Sequence, residues 1–86
     1  THKAYYKKQN IDLTPKEFEI LWLLMEDPDK IYNMNDIHYV IWGDQVLESE
    51  VNPVMVHIRR IRRKFEKLGA GSIIATVWGV GYKINV

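Results

Sequence analysis

The segment Pro53 to Leu68, PVMVHIRRIRRKFEKL, constrains this chain more than any other. Val54, Ile58, Ile61, Phe65 and Leu68 recur at steps of four, three, four and three. At 100° per residue they form one stripe along a helix. Val56, Arg59, Arg60, Arg63 and Lys67 fall on the opposite side, with Arg62 and Lys64 on the flanks. One face therefore has to be covered, and the other cannot be buried. With 86 residues in all, the rest of the chain has to supply that cover from a single core, so one domain over 1–86 is expected.

Charge is unevenly distributed. The chain carries a net +1, yet residues 10–53 hold ten acids against Lys16 and Lys30, while residues 54–68 hold six bases against Glu66. Such asymmetry is a better guide to partners than net charge. A solvated helical face usually mixes signs, because like charges four apart repel by a few tenths of a kcal/mol. An uncompensated cationic face calls for an external anion.

Several function classes drop out. There is no Cys, which removes disulfides, thiolate metal sites and Cys nucleophiles. GxxxxGK[ST], HExxH and GxSxG are absent, and His2, His38 and His57 are scattered. GVGY (79–82) looks like part of a phosphate loop but leads into a strand, so its glycines read as a tight hairpin tip. No enzyme, metal or cofactor is expected. No apolar run approaches 18 residues and THKAYYKK lacks a signal-peptide core. The expectation is a cytoplasmic location with no membrane association.

The remaining elements follow from local signals. KAYYKKQNIDL (3–13) predicts two short strands around a polar turn at Lys8 to Asn10. Thr14, Pro15 and Glu17 spell a capped helix start with a capping box. Phe18, Leu21, Trp22, Leu24 and Met25 follow at helical spacing, which predicts that Phe18 and Trp22 serve packing, and Asp27-Pro28 ends the helix. Asn33 caps a second helix to Trp42 with Ile37, Val40 and Ile41 on its apolar side. GDQVLESEVN (43–52) reads as an acidic loop. After Gly69-Ala70-Gly71, the β-branched run from Ser72 to Val77 and the strand from Tyr82 predict a hairpin.

A merely solvated amphipathic helix and a membrane-surface helix are the plain alternatives for the cationic segment. The apolar stripe is needed for the only available core, and Arg offers a planar fork to guanine edges and phosphates. Nucleic acid is the better partner. The assembled fold class is α+β, mostly α: a winged helix-turn-helix with three helices, a short N-terminal β-hairpin and a C-terminal hairpin wing.

LTPKEFEILWLL (13–24), IWGD (41–44), VMVHIRRIRRKF (54–65) and TVWGVGYKI (76–84) resemble, in order and spacing, the C-terminal effector domain of OmpR/PhoB-type response regulators. The resemblance implies a transcription regulator of a bacterial two-component system. It also implies an upstream receiver domain addressed by a sensor kinase, and a dimer on direct-repeat double-stranded DNA. The N-terminal hairpin corresponds to the later part of that family's first sheet.

By position, the resemblance assigns Arg60, Val56 and Met55 to bases. It assigns Arg59, Arg62, Arg63, Lys67, Asn52, Trp42, Thr76 and Tyr82 to the DNA backbone. Met55 stands where relatives often have an acid, Asn52 and Pro53 where many have Arg and Thr, and Trp78 where many have a wing-tip Arg. Trp42 is left with two readings, phosphate donor or core plug, and His57 reads as packing with one polar tip ahead of direct DNA contact. Asp44, Glu48 and Glu50 fall in a loop that in this family can contact RNA polymerase, with an indifferent loop as the other reading. Two further hypotheses stay open: the same domain in a membrane-tethered one-component activator, and a winged helix that binds only protein.

Overall fold

The computed structural model describes residues 3–6, 9–43 and 53–85, side chains excepted at 3–6 and 9–10. The element order is β1 (Lys3–Tyr6), β2 (Gln9–Asp12), α1 (Pro15–Glu26), α2 (Met34–Trp42), α3 (Pro53–Glu66), β3 (Ile74–Val77) and β4 (Gly81–Ile84). β1 pairs antiparallel with β2, and β3 with β4, as two separate sheets. The helices lie between these sheets in sequence, and the core draws on both ends of the chain.

The helix starts follow their local signals. The Thr14 hydroxyl accepts from the Glu17 N–H at 3.2 Å, and the Glu17 carboxylate accepts from the Thr14 N–H at 3.0 Å. Two of the orphan donors at the α1 start are thus satisfied, and Pro15 removes a third. The Asn33 side chain accepts from the Asp36 N–H at 2.8 Å at the start of α2. α3 ends at Glu66, and Leu68, just beyond it, still packs against the core.

Pairing of β1 with β2 runs from Lys3↔Asp12 to Tyr6↔Gln9. Gln9 and Asn10 therefore belong to the strand, not to the turn that their polarity predicts. The β-branched run gives β3 only from Ile74, paired with Ile84, and ends in the pair Val77↔Gly81. The tip closes by Val80 N–H to Val77 O at 2.9 Å, with Gly79 at φ 78°, a conformation that Gly adopts without a Cβ clash.

The core gathers Ile11, Leu13, Ile20, Leu21, Leu24, Tyr32, Ile37, Val54, Ile58, Ile61, Phe65, Ile74 and Ile84. The α3 stripe is buried as its spacing requires. Leu21, Leu24 and Ile37 are buried, and Phe18 and Ile41 pack against the core as their spacing predicts. Trp22, Met25 and Val40 differ from that expectation, at 59%, 55% and 59% exposed. α1 carries two apolar stripes, and the one that includes Ile20, Leu21 and Leu24 faces the core. Glu17 shares that face and is buried.

Gly81 also departs from the tip role. Tyr32 and Tyr82 exchange backbone hydrogen bonds, N–H to O, at 2.8 Å in both directions. A Cβ on Gly81 would overlap the Tyr32 carbonyl. Gly81 is there for close approach of β4 to the segment between α1 and α2, and only Gly79 serves the turn.

Candidate nucleic-acid interface

The outward face of α3 is where the predicted basic residues come together. Arg59, Arg60, Arg63 and Lys67 are exposed, and among the described residues none of them pairs with a carboxylate. Met55 is 50% exposed and Val56 is half-buried. Met55, Val56, Arg59, Arg62, Arg63 and Tyr82 line a groove of about 610 Å³ between α3 and the β3–β4 hairpin.

Two bases of the run turn inward instead. Lys64 Nζ donates to Glu17 Oε1 at 2.5 Å and to the Asp12 carbonyl at 2.8 Å. It ties α3 to both α1 and β2. Burial pushes the Glu17 carboxyl up, but its bonds from Lys64 and from the Thr14 N–H, with the nearby charges of Lys64 and His57, outweigh this. Glu17 is held below its ordinary value and stays ionised. Arg62 is half-buried, its guanidinium bonded to the Ile74 carbonyl and the Thr76 hydroxyl. Nothing in the sequence distinguishes these two flanking bases from their neighbours except their angle on the helix and, for Lys64, an acid on the facing stripe of α1.

Trp42, at the end of α2, is half-buried beside α3. Its ring stacks on His38 (5.5 Å between centroids, 13°) and meets the edge of His57 (5.1 Å, 74°). Lys16 Nζ lies 5.7 Å from the Trp42 ring and donates to the Ile41 carbonyl at 3.0 Å. His57 Nδ1 sits 2.7 Å from the Pro53 carbonyl, so that nitrogen carries the proton and donates it. This aromatic stack fixes the end of α2 against the first turn of α3.

The hairpin presents Trp78, 89% exposed, with Val80 at 54%. Thr76 and Tyr82 are half-buried and opposite each other across the pair. Asn52 and the loop carboxylates Asp44, Glu48 and Glu50 lie outside the described residues. Among the described residues no group of acids and histidines is arranged to hold a metal ion.

Two hairpins around three helices, with an exposed cationic face on the third, define a winged-helix DNA-binding domain. The family profile "Transcriptional regulatory protein, C terminal" matches residues 8–84. The chain belongs to that family, the OmpR/PhoB-type DNA-binding domains of two-component response regulators. It is 39% identical over 86 residues to Regulatory protein VanR of Enterococcus faecium, covering 99% of this chain and 37% of VanR. It is 36% identical over 87 residues to Transcriptional regulatory protein ResD of Bacillus subtilis, covering 99% and 36%. The chain thus spans little more than a third of the relatives' length. The DNA-binding domain of the response regulator AdeR, solved with an intercistronic region, superposes with a TM-score of 0.81 at 25% identity, covering 99% of this chain and 86% of that one.

Proposed function

We propose that this domain binds double-stranded DNA sequence-specifically, with α3 in the major groove and the hairpin as a wing over the flanking backbone. The observation that carries the reading is the outward row of Arg59, Arg60, Arg63 and Lys67, exposed and without acidic partners among the described residues. Arg60 is the base reader, by a bidentate bond to guanine, with Val56 and Met55 against base edges or thymine methyls. Arg59, Arg63 and Lys67, with Asn52, Trp42, Thr76 and Tyr82, hold phosphates and fix register. Trp78 packs on sugars at the wing tip.

In the whole protein, this domain follows a receiver whose phosphorylation by a sensor kinase in the cytoplasm pairs two effector domains on a direct repeat. Asp44, Glu48 and Glu50 face RNA polymerase, since their charge is repelled by DNA. The regulators VanR and ResD, to which the chain is similar, favour this response-regulator reading over the membrane-tethered alternative. No helix among the described residues is long and apolar enough to cross a membrane.

Selection of bound sequences from random DNA tests the proposal, followed by titration of the best site and a scrambled one across salt concentrations. The expected result is a recovered consensus, with log K falling linearly in log salt by about 0.9 per phosphate neutralised. Recovery of no consensus, or a flat salt response, sinks the reading and revives a protein-binding winged helix.

A further inference from the structure

By its place on the cationic helix, Arg62 belongs with the phosphate contacts, but its guanidinium is engaged within the protein. Nε and Nη2 donate to the Ile74 carbonyl at 3.1 and 2.9 Å, and Nη2 also donates to the Thr76 hydroxyl at 2.6 Å. The guanidinium carbon lies 5.7 Å from the centre of the Tyr82 ring. One side chain of α3 thus reaches both strands of the wing.

The ladder explains why this carbonyl is available. Asn85 N–H donates to Ile73 O at 2.9 Å. Antiparallel pairs alternate between those that exchange backbone bonds and those that do not. Ile74↔Ile84 is therefore a non-exchanging pair, and the Ile74 carbonyl points off the free edge of β3 towards α3. Ile74 itself is fully buried. A carbonyl at such a place is costly to leave unpaired. Arg62 fills it with two donors, and the Ser72 hydroxyl adds a third at 3.0 Å. The opposite edge of the wing, on β4, is held by the backbone exchange between Tyr82 and Tyr32. The wing is gripped on both edges, by a backbone bridge on one side and by the Arg62 fork on the other.

We infer that Arg62 is a positioning residue that locks the wing to α3 and so sets where Trp78 stands relative to Arg59, Arg60 and Arg63. Its effect on DNA binding, which rests on the proposed function, runs through the placement of the wing. The fork is the essential feature. Lysine keeps the charge but offers a point donor, which cannot hold the Ile74 carbonyl and the Thr76 hydroxyl in one plane.

Arg62→Lys separates this from a phosphate contact, because the charge is retained. Amide hydrogen exchange on the DNA-free protein is measured first. In Arg62→Lys the Ala75 and Lys83 amides, which pair across the wing, exchange about ten-fold faster than in the wild type, as expected for loss of a charge-assisted bond. The Ile20 and Leu24 amides of α1 keep their rates, which shows that the fold is intact. Thr76→Val, which removes one acceptor without touching the charge, gives a smaller acceleration at the same amides. On the selected DNA site, Arg62→Lys binds about ten-fold more weakly with an unchanged salt slope, since the number of cations is the same.

Wild-type exchange at the wing amides in Arg62→Lys overturns the inference, and so does a loosened wing with wild-type affinity. The exchange measurement uses no DNA. A wild-type protein that binds no DNA therefore counts against the proposed function, while the exchange rates alone still decide whether Arg62 locks the wing.

Discussion

Helices α1 and α3 pack against each other but divide their residues differently. α3 buries Val54, Ile58, Ile61 and Phe65 and leaves Arg59, Arg60 and Arg63 in solvent. α1 buries the charged Glu17 beside Ile20, Leu21 and Leu24, and leaves Trp22 and Met25 mostly exposed. The two cases are linked through Lys64, which leaves the cationic face of α3 to neutralise Glu17 on α1. A helix with one apolar stripe has one way to pack. A helix with two needs its partner to choose.

The largest effect is expected from disruption of the α3 stripe. Ile61 is fully buried, so Ile61→Ala should cost about 2–5 kcal/mol of stability in urea unfolding, by lost burial and a residual cavity. A cost near that of a surface change would mean that α3 is not the centre of the core.

Next comes the link between the helices. Lys64→Ala leaves Glu17 buried without its cation, and stability should drop by about 3 kcal/mol at neutral pH. Glu17→Gln in that background should recover part of the loss. The wild type has a matching pH signature. A carboxyl held below its ordinary 4.5 stays ionised in the folded chain while the unfolded chain already takes up protons. Its contribution is complete at neutral pH and is lost as pH falls through 4.5 towards the lower folded value. Glu17→Gln should flatten unfolding free energy against pH in that acid range. An equally steep curve would place the acid sensitivity in other carboxylates.

On the outward face, Arg60→Ala should leave unfolding unchanged and cost about 1–3 kcal/mol on the selected DNA site, with relaxed preference at one base step. Equal loss on specific and random DNA would make Arg60 a phosphate contact. Arg63→Ala or Lys67→Ala should weaken binding to all sequences and reduce the salt slope by about 0.9; an unreduced slope puts that residue outside the footprint.

The smallest effect is expected on the outer stripe of α1. Trp22 stacks on Phe18 with 6.0 Å between ring centroids, so Trp22→Ala should cost about 0.5–1.5 kcal/mol of stability. A cost of several kcal/mol would show that Trp22 is buried in solution far beyond this one ring contact.

Elements whose signals are local can be read off the residues alone. Thr14 and Glu17 close the α1 cap, Asn33 caps α2, the single stripe of α3 goes inward, and Gly79 turns the wing. Each depends on residues within a turn or two along the chain, where spacing fixes geometry. The exposed row of Arg59, Arg60, Arg63 and Lys67 was legible for the same reason, since the buried stripe dictates its direction.

Packing settled the matters that depend on a second element. It chose between the two stripes of α1, because burying Glu17 is tolerable only with Lys64 47 residues away. It began β2 at Gln9, because polar residues can pair in a strand as well as turn. It gave Gly81 to the Tyr32 carbonyl, a contact across 49 residues that no local pattern encodes. It also turned Arg62 from the charged face to the edge of β3, because an unpaired carbonyl there demands a donor and a base on the flank of α3 is near enough to supply it.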